Sequence, residues 1–155
     1  MSTATKDIEL GTDKYQLTRF SARDGSWIVS QMITSMLLVD TDKTKPKTDQ
    51  DYGLFFALSL HELPETTYRR IQELCFGCCR KYAGDAAHPI LMADGTGRWT
   101  NGEPDLVTAT ALVTAVLVFN LVPFFEPGAL KTMRTIYPDL STRSATTSTD
   151  TSSAQ

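Results

Sequence analysis

A mainly helical α+β domain with a small antiparallel sheet is what this sequence predicts. Three observations carry the expectation. Apolar residues recur at helical spacing over 27–38 and again over 71–82. An uncharged run at 106–125 has the length of a long helix. An Asp-Gly turn sits between short apolar and aromatic segments at 89–100, the signature of a hairpin. The chain has 155 residues and a hydrophobic fraction of 41%, enough for one ordinary core and no more. We expect one domain over 14–140, a flexible N-terminus over 1–13, and a disordered Ser/Thr-rich tail over 141–155, which lacks side chains able to form a core.

The first expected element is a strand at 14–20, rich in β-formers around Tyr15 and Leu17. Ser21 follows as a helix N-cap, with Asp24 at the third helical position as a variant capping box. The helix it opens carries Trp27, Ile28, Ile33, Met36 and Leu37, mostly on one face. Residues 40–51 read as a polar linker. The apolar stretch 52–60 is short, and its periodicity fits helix or strand. Pro64 and Glu65 suit the first turn of another helix. That helix is expected to run to about residue 82, with Ile71, Leu74, Cys75, Cys78, Cys79 and Tyr82 on its core face and Gly84 as its stop. The hairpin at 89–100 should pair with the strand at 14–20, because a lone hairpin is marginal. Glu103, Pro104 and Asp105 open the long apolar helix, Pro123 bends or ends it, and Pro127 starts a short last helix.

The segment 106–125 has two readings. Its length and lack of charge suit a single membrane span. Thr108, Thr110, Thr114 and Asn120, the acidic flanks, and the absence of boundary Trp or Tyr favour a buried helix of a soluble domain.

The residue types that carry chemistry are sparse. Net charge is -3 and the pI about 5.3, against the basic face of a nucleic-acid binder. Lys43, Lys45 and Lys47 read as a solvated loop. Cys75, Cys78 and Cys79 are odd in number and crowded, unlike a secreted disulfide framework, and no cationic-then-apolar leader opens the chain; both suggest reducing cytosol. Cys75-Phe-Gly-Cys78 is formally a C-x-x-C. Its expected place near a helix end gives the wrong dipole sign for a redox thiol, and His61 and His88 do not complete a zinc spacing. The three cysteines therefore read as buried and inert. Both histidines look like loop residues without a nucleophile motif. Asp94-Gly-Thr-Gly97 is too short for a phosphate loop, and Arg23-Asp24-Gly25 reads as capping. We assign no catalytic residue, no metal and no cofactor. The aromatic pairs Phe55-Phe56 and Phe124-Phe125 are the candidate partner contacts. Adjacent helical residues point about 100° apart, so one member of each pair is free to face a partner; the competing reading buries both.

Several pieces taken together resemble the tail assembly chaperones of tailed bacteriophages. They are the opening Tyr15-Gln-Leu-Thr-Arg-Phe-Ser-Ala-Arg-Asp-Gly-Ser-Trp27, the helix from Pro64, the Asp94-Gly-Thr-Gly-Arg-Trp99 turn, and the apolar helix ending Phe119-Asn-Leu-Val-Pro-Phe-Phe125. The resemblance spans most of 14–125 and lies in order and flavour, not in an invariant motif. It implies a small non-enzymatic protein of the host cytoplasm that binds the tape measure protein and helps tail tube protein assemble around it. Such proteins often have a longer frameshifted form, and the tail at 141–155 suits a junction. A homo-oligomer is compatible with this reading. It carries over no functional residue set.

Overall fold

The computed structural model describes residues 4–38 and 46–136, and within them the chain is α+β and mainly helical. The order is β1 (Lys6–Leu10), β2 (Asp13–Leu17), α1 (Ala22–Leu38), α2 (Asp49–His61), α3 (Glu65–Gly77), β3 (Cys79–Ala83), β4 (Ala86–Pro89), α4 (Leu106–Leu121), a 3-10 turn (Val122–Phe125) and α5 (Pro127–Ile136). The tail at 141–155, Lys43 and Lys45 lie outside the described residues.

The sheet is antiparallel in the order β1-β2-β3-β4. Two hairpins, β1–β2 and β3–β4, are joined along β2 and β3, with Tyr15 opposite Lys81 and Leu17 opposite Cys79. Two expectations are corrected here. The segment 1–13 is not loose throughout, because Lys6–Leu10 pairs along its whole length with β2. The partner of β2 on its other side is β3, not the segment 89–100. That segment keeps one bridge, Leu91 to Trp99, supported by Met92 N–H to Arg98 C=O at 2.8 Å and Thr100 N–H to Ile90 C=O at 2.8 Å. Trp99 is thereby set edge-on against Phe76 of α3, ring centroids 4.9 Å apart.

The helix from Pro64 is shorter than its periodicity suggests. It ends at Gly77, and residues 79–83 form β3. Strand alternation puts Cys79 on the inner face and Tyr82 on the outer one, where its hydroxyl donates to Asp7 at 2.9 Å. Gly84 is not a helix stop. It sits in the β3–β4 turn at φ +68°, a conformation that costs glycine no Cβ clash.

Local signals explain the helix starts. Ser21 Oγ accepts from Asp24 N–H at 3.1 Å, as the sequence predicts. The stretch 52–60, left open between helix and strand, is helix. Thr48 and Asp51 form a reciprocal capping box that starts α2 three residues earlier than the apolar run. Asp105 caps α4 by accepting from Thr108 N–H at 2.7 Å.

The core gathers on α4. Leu112, Val113, Val116, Leu117 and Leu121 are buried against α2, α3 and the inner face of the sheet, where Tyr15, Leu17 and Cys79 also lie. α2 comes close because Gly53 has no side chain; a Cβ there would stand 3.0 Å from Thr114 Cγ2. One polar residue of α4 ties the helix to the sheet. Asn120 Oδ1 accepts from Phe20 N–H at 2.9 Å, while Nδ2 donates to Thr18 C=O at 3.3 Å and Val116 C=O at 3.0 Å. Beside it the Arg19 guanidinium lies over the Phe119 ring, 3.8 Å from the centroid, and donates to the Phe119 carbonyl.

Replacing Asn120 with Ala strands the Phe20 amide and the Thr18 carbonyl in a partly buried site. The expected loss is about 1–3 kcal/mol in urea unfolding. Thr110→Val on the same helix removes only an exposed hydroxyl bonded to its own turn and should stay within about 0.5 kcal/mol of wild type. Equal losses for both would contradict the clamp.

Candidate protein-binding site

The two aromatic pairs meet in space, but as a core cluster. Phe125 packs against Tyr52, Phe55 and Phe56 with ring centroids 5.1, 5.5 and 6.0 Å away, the Phe55 contact edge-on at 89°. Phe56 is 0% exposed and Phe125 2%. Phe55 is half-buried edge-on to Phe125, and Phe124 is half-buried against the core. The helical offset between neighbours does split each pair, one ring inward and one toward the surface. Phe56 and Phe125 are thus core residues, and any surface role falls to Phe55 and Phe124.

The accessible apolar surface lies elsewhere, on aliphatic residues that sequence reading passed over. Leu54 and Leu58, one turn apart on α2, are 64% and 60% exposed. Leu106 and Val107, in the first turn of α4, are 82% and 77% exposed. Leu54, Leu106 and Val107 border an open groove of about 870 Å³ between α2, α4 and the edge strand β1, whose Ile8 and Leu10 close the far side. The groove wall along α4 is formed by Thr110, Ala111, Thr114, Ala115 and Val118. Thr110 and Thr114 turn their hydroxyls into the helix, donating to Leu106 C=O at 2.8 Å and Thr110 C=O at 3.0 Å. They present little free polarity, so their weight as polar residues against an apolar environment is smaller than composition suggests. The even apolarity of α4 was legible in the sequence, but which of its sides stays open was not.

The same helix bears on the membrane reading. Leu106–Phe125 is long and apolar enough to cross a bilayer, with mean hydropathy 2.1, and only 28% of its most apolar window is buried. Its buried side is occupied by α2, α3 and the sheet.

Cys75, Cys78 and Cys79 are all buried. Only Cys75 owes this to the helical phase; Cys78 caps α3 and Cys79 begins β3. Burial pushes all three thiols up, Cys78 from 9.0 to about 11, and Cys75 and Cys79 are raised in the same direction for the same reason. These are the opposite of activated thiolates. His61 ends α2 and His88 lies in β4, so neither is a loop residue, and both are exposed. Among the described residues no three His, Cys, Asp or Glu side chains converge as a metal-binding group.

Comparison with protein-family models, curated proteins and solved structures finds no match to this chain.

Two outcomes follow from burial. Phe125→Ala should cost about 3–5 kcal/mol in chemical unfolding, whereas Leu106→Ser should melt within about 0.5 kcal/mol of wild type. The cysteines should make the fold alkali-sensitive. Above pH 9 the unfolded chain releases thiol protons that the folded chain keeps to higher pH, for Cys78 until about pH 11. Stability therefore falls as pH rises through that window, by about 1.4 kcal/mol per pH unit for each thiol. Urea midpoints that stay flat from pH 8.5 to 10.5 would contradict it.

Proposed function

We propose that this chain is a non-enzymatic chaperone of phage tail assembly that holds an apolar helical segment of the tape measure protein in the groove between β1, α2 and α4. The observation that carries this reading is the groove itself: an open apolar channel whose rim keeps Leu54, Leu106 and Val107 in solvent. Contiguous exposed apolar surface of this kind marks an interaction site. An amphipathic helix laid into a groove is the recognition mode that fits it. The resemblance of 14–125 to tail assembly chaperones supplies the partner, and with it the tail tube protein and the host cytoplasm. A net charge of -3 supports a protein client over nucleic acid. The half-buried Phe55 and Phe124 are secondary contacts in this reading.

The alternative, a single membrane span at 106–125, draws on the hydropathy and partial cover of α4. It requires α4 to leave α2, α3 and the Asn120 clamp.

Co-expression with the tape measure protein of the same phage is the test. Wild-type chain should co-purify with it from the soluble fraction. Leu106→Glu and Val107→Glu, both at exposed positions, should melt like wild type and lose the complex, with affinity reduced about tenfold or more. A wild-type chain that captures no tape measure protein ends the chaperone reading. Recovery of the chain only in detergent would establish the membrane alternative instead.

A further inference from the structure

The groove also contains the chemistry for recognising itself. Among its lining residues only two are charged, Lys6 on β1 and Asp49 at the start of α2. They have opposite signs and come from different elements. Neither belongs to an ion pair among the described residues. We propose that in the free protein this face is closed by a second copy of the chain, related by a two-fold axis, with Lys6 of each copy against the partner's Asp49. The proposal rests on the reading of the groove as the client site, and makes the dimer the state that a client must displace.

A two-fold interface is self-complementary: if one residue meets another, the reverse contact forms as well. A groove bearing one cation and one anion meets the charge part of that condition, whereas a groove of one sign would repel its copy. The apolar part meets it too. α2 and α4 both lack a polar face, and each copy would offer Leu54, Leu106 and Val107 to the other's groove, completing a four-helix core of two α2–α4 pairs. The open edge of β1 is the other route to a symmetric dimer, and its charges oppose it. Every two-fold antiparallel register with more than a single-residue overlap sets Asp7 against itself, Asp7 against Glu9, or Glu9 against itself. The groove face carries no such penalty.

Light scattering and sedimentation across a concentration series provide the test. Wild type should reach twice its 17.1 kDa mass. Lys6→Glu and Asp49→Lys should each keep the wild-type circular dichroism and raise the dimer dissociation constant about tenfold or more, because each reversal creates two like-charged contacts. Mixing the two variants should restore dimers, since both cross-contacts are then attractive, and the double variant should dimerise alone. A wild type that stays monomeric overturns the proposal, as do reversals without effect or a mixture that fails to restore dimers. A monomer that co-sediments with phosphatidylcholine vesicles would assign the face to a lipid surface and also overturn it. The two readings fail separately. A monomer that captures the tape measure protein removes only the dimer, and a charge-controlled dimer that captures none removes only the chaperone.

Discussion

Helix α4 is apolar around its whole circumference, and the rest of the fold is arranged so as to cover part of it. The helix has no charged residue and no polar face, so no orientation lets it lie on a surface as an ordinary amphipathic helix does. Three structures cover it. α2 lies against it at Gly53, α3 packs alongside, and the sheet turns Tyr15, Leu17 and Cys79 inward toward it. The Asn120 side chain fixes the approach of the sheet. Its amide satisfies two backbone groups of the segment that leads from β2 into α1, so the single strongly polar residue of the helix is spent on orientation.

Cover on those sides leaves one strip open, and the groove is its result. β1 borders the groove as an edge strand, and the exposed Leu54, Leu106 and Val107 line its mouth. This makes the proposed site a property of the packing arrangement. The aromatic rings that draw attention in the sequence serve a different end. Phe56 and Phe125 hold the N-terminal half of α2 to the turn after α4, where Phe125 meets Tyr52 at 5.1 Å. An aliphatic, open site and an aromatic, closed cluster therefore divide the apolar residues between binding and stability.

The cysteines show how a correct conclusion can rest on an incomplete reason. Spacing of three and four residues predicts burial for Cys75, Cys78 and Cys79 by a single helical face, and all three are buried. Yet the chain changes from helix to strand between them. Cys78 is held because Thr18 N–H donates to its carbonyl at 2.9 Å, and Cys79 because β3 pairs with β2. Helical periodicity persisted by coincidence through a short strand whose alternation happens to agree at Cys79 and disagrees at Tyr82. The hairpin at β1–β2 was legible in principle. Lys6-Asp-Ile-Glu-Leu10 alternates polar with apolar, and Gly11-Thr12 separates it from the next alternating run. A polar composition hid it, because an edge strand buries only half of one face.

Helix starts and the mainly helical class were determined by the sequence itself, although 52–60 stayed open between helix and strand. These depend on interactions within a few residues: Ser21 with the Asp24 amide, Asp105 with the Thr108 amide, and apolar spacing along α1 and α3. The Thr48–Asp51 box belongs to the same local class and was equally readable. Only tertiary structure decided the rest. Which strand lies beside β2, where α3 gives way to β3, and which side of α4 stays uncovered are set by contacts between segments sixty to a hundred residues apart. Such contacts leave no periodic trace in either segment, since each partner's pattern is satisfied equally well by any complementary surface. The open groove is the extreme case: it is the apolar surface that no other described part of the chain covers, and that only the completed packing reveals.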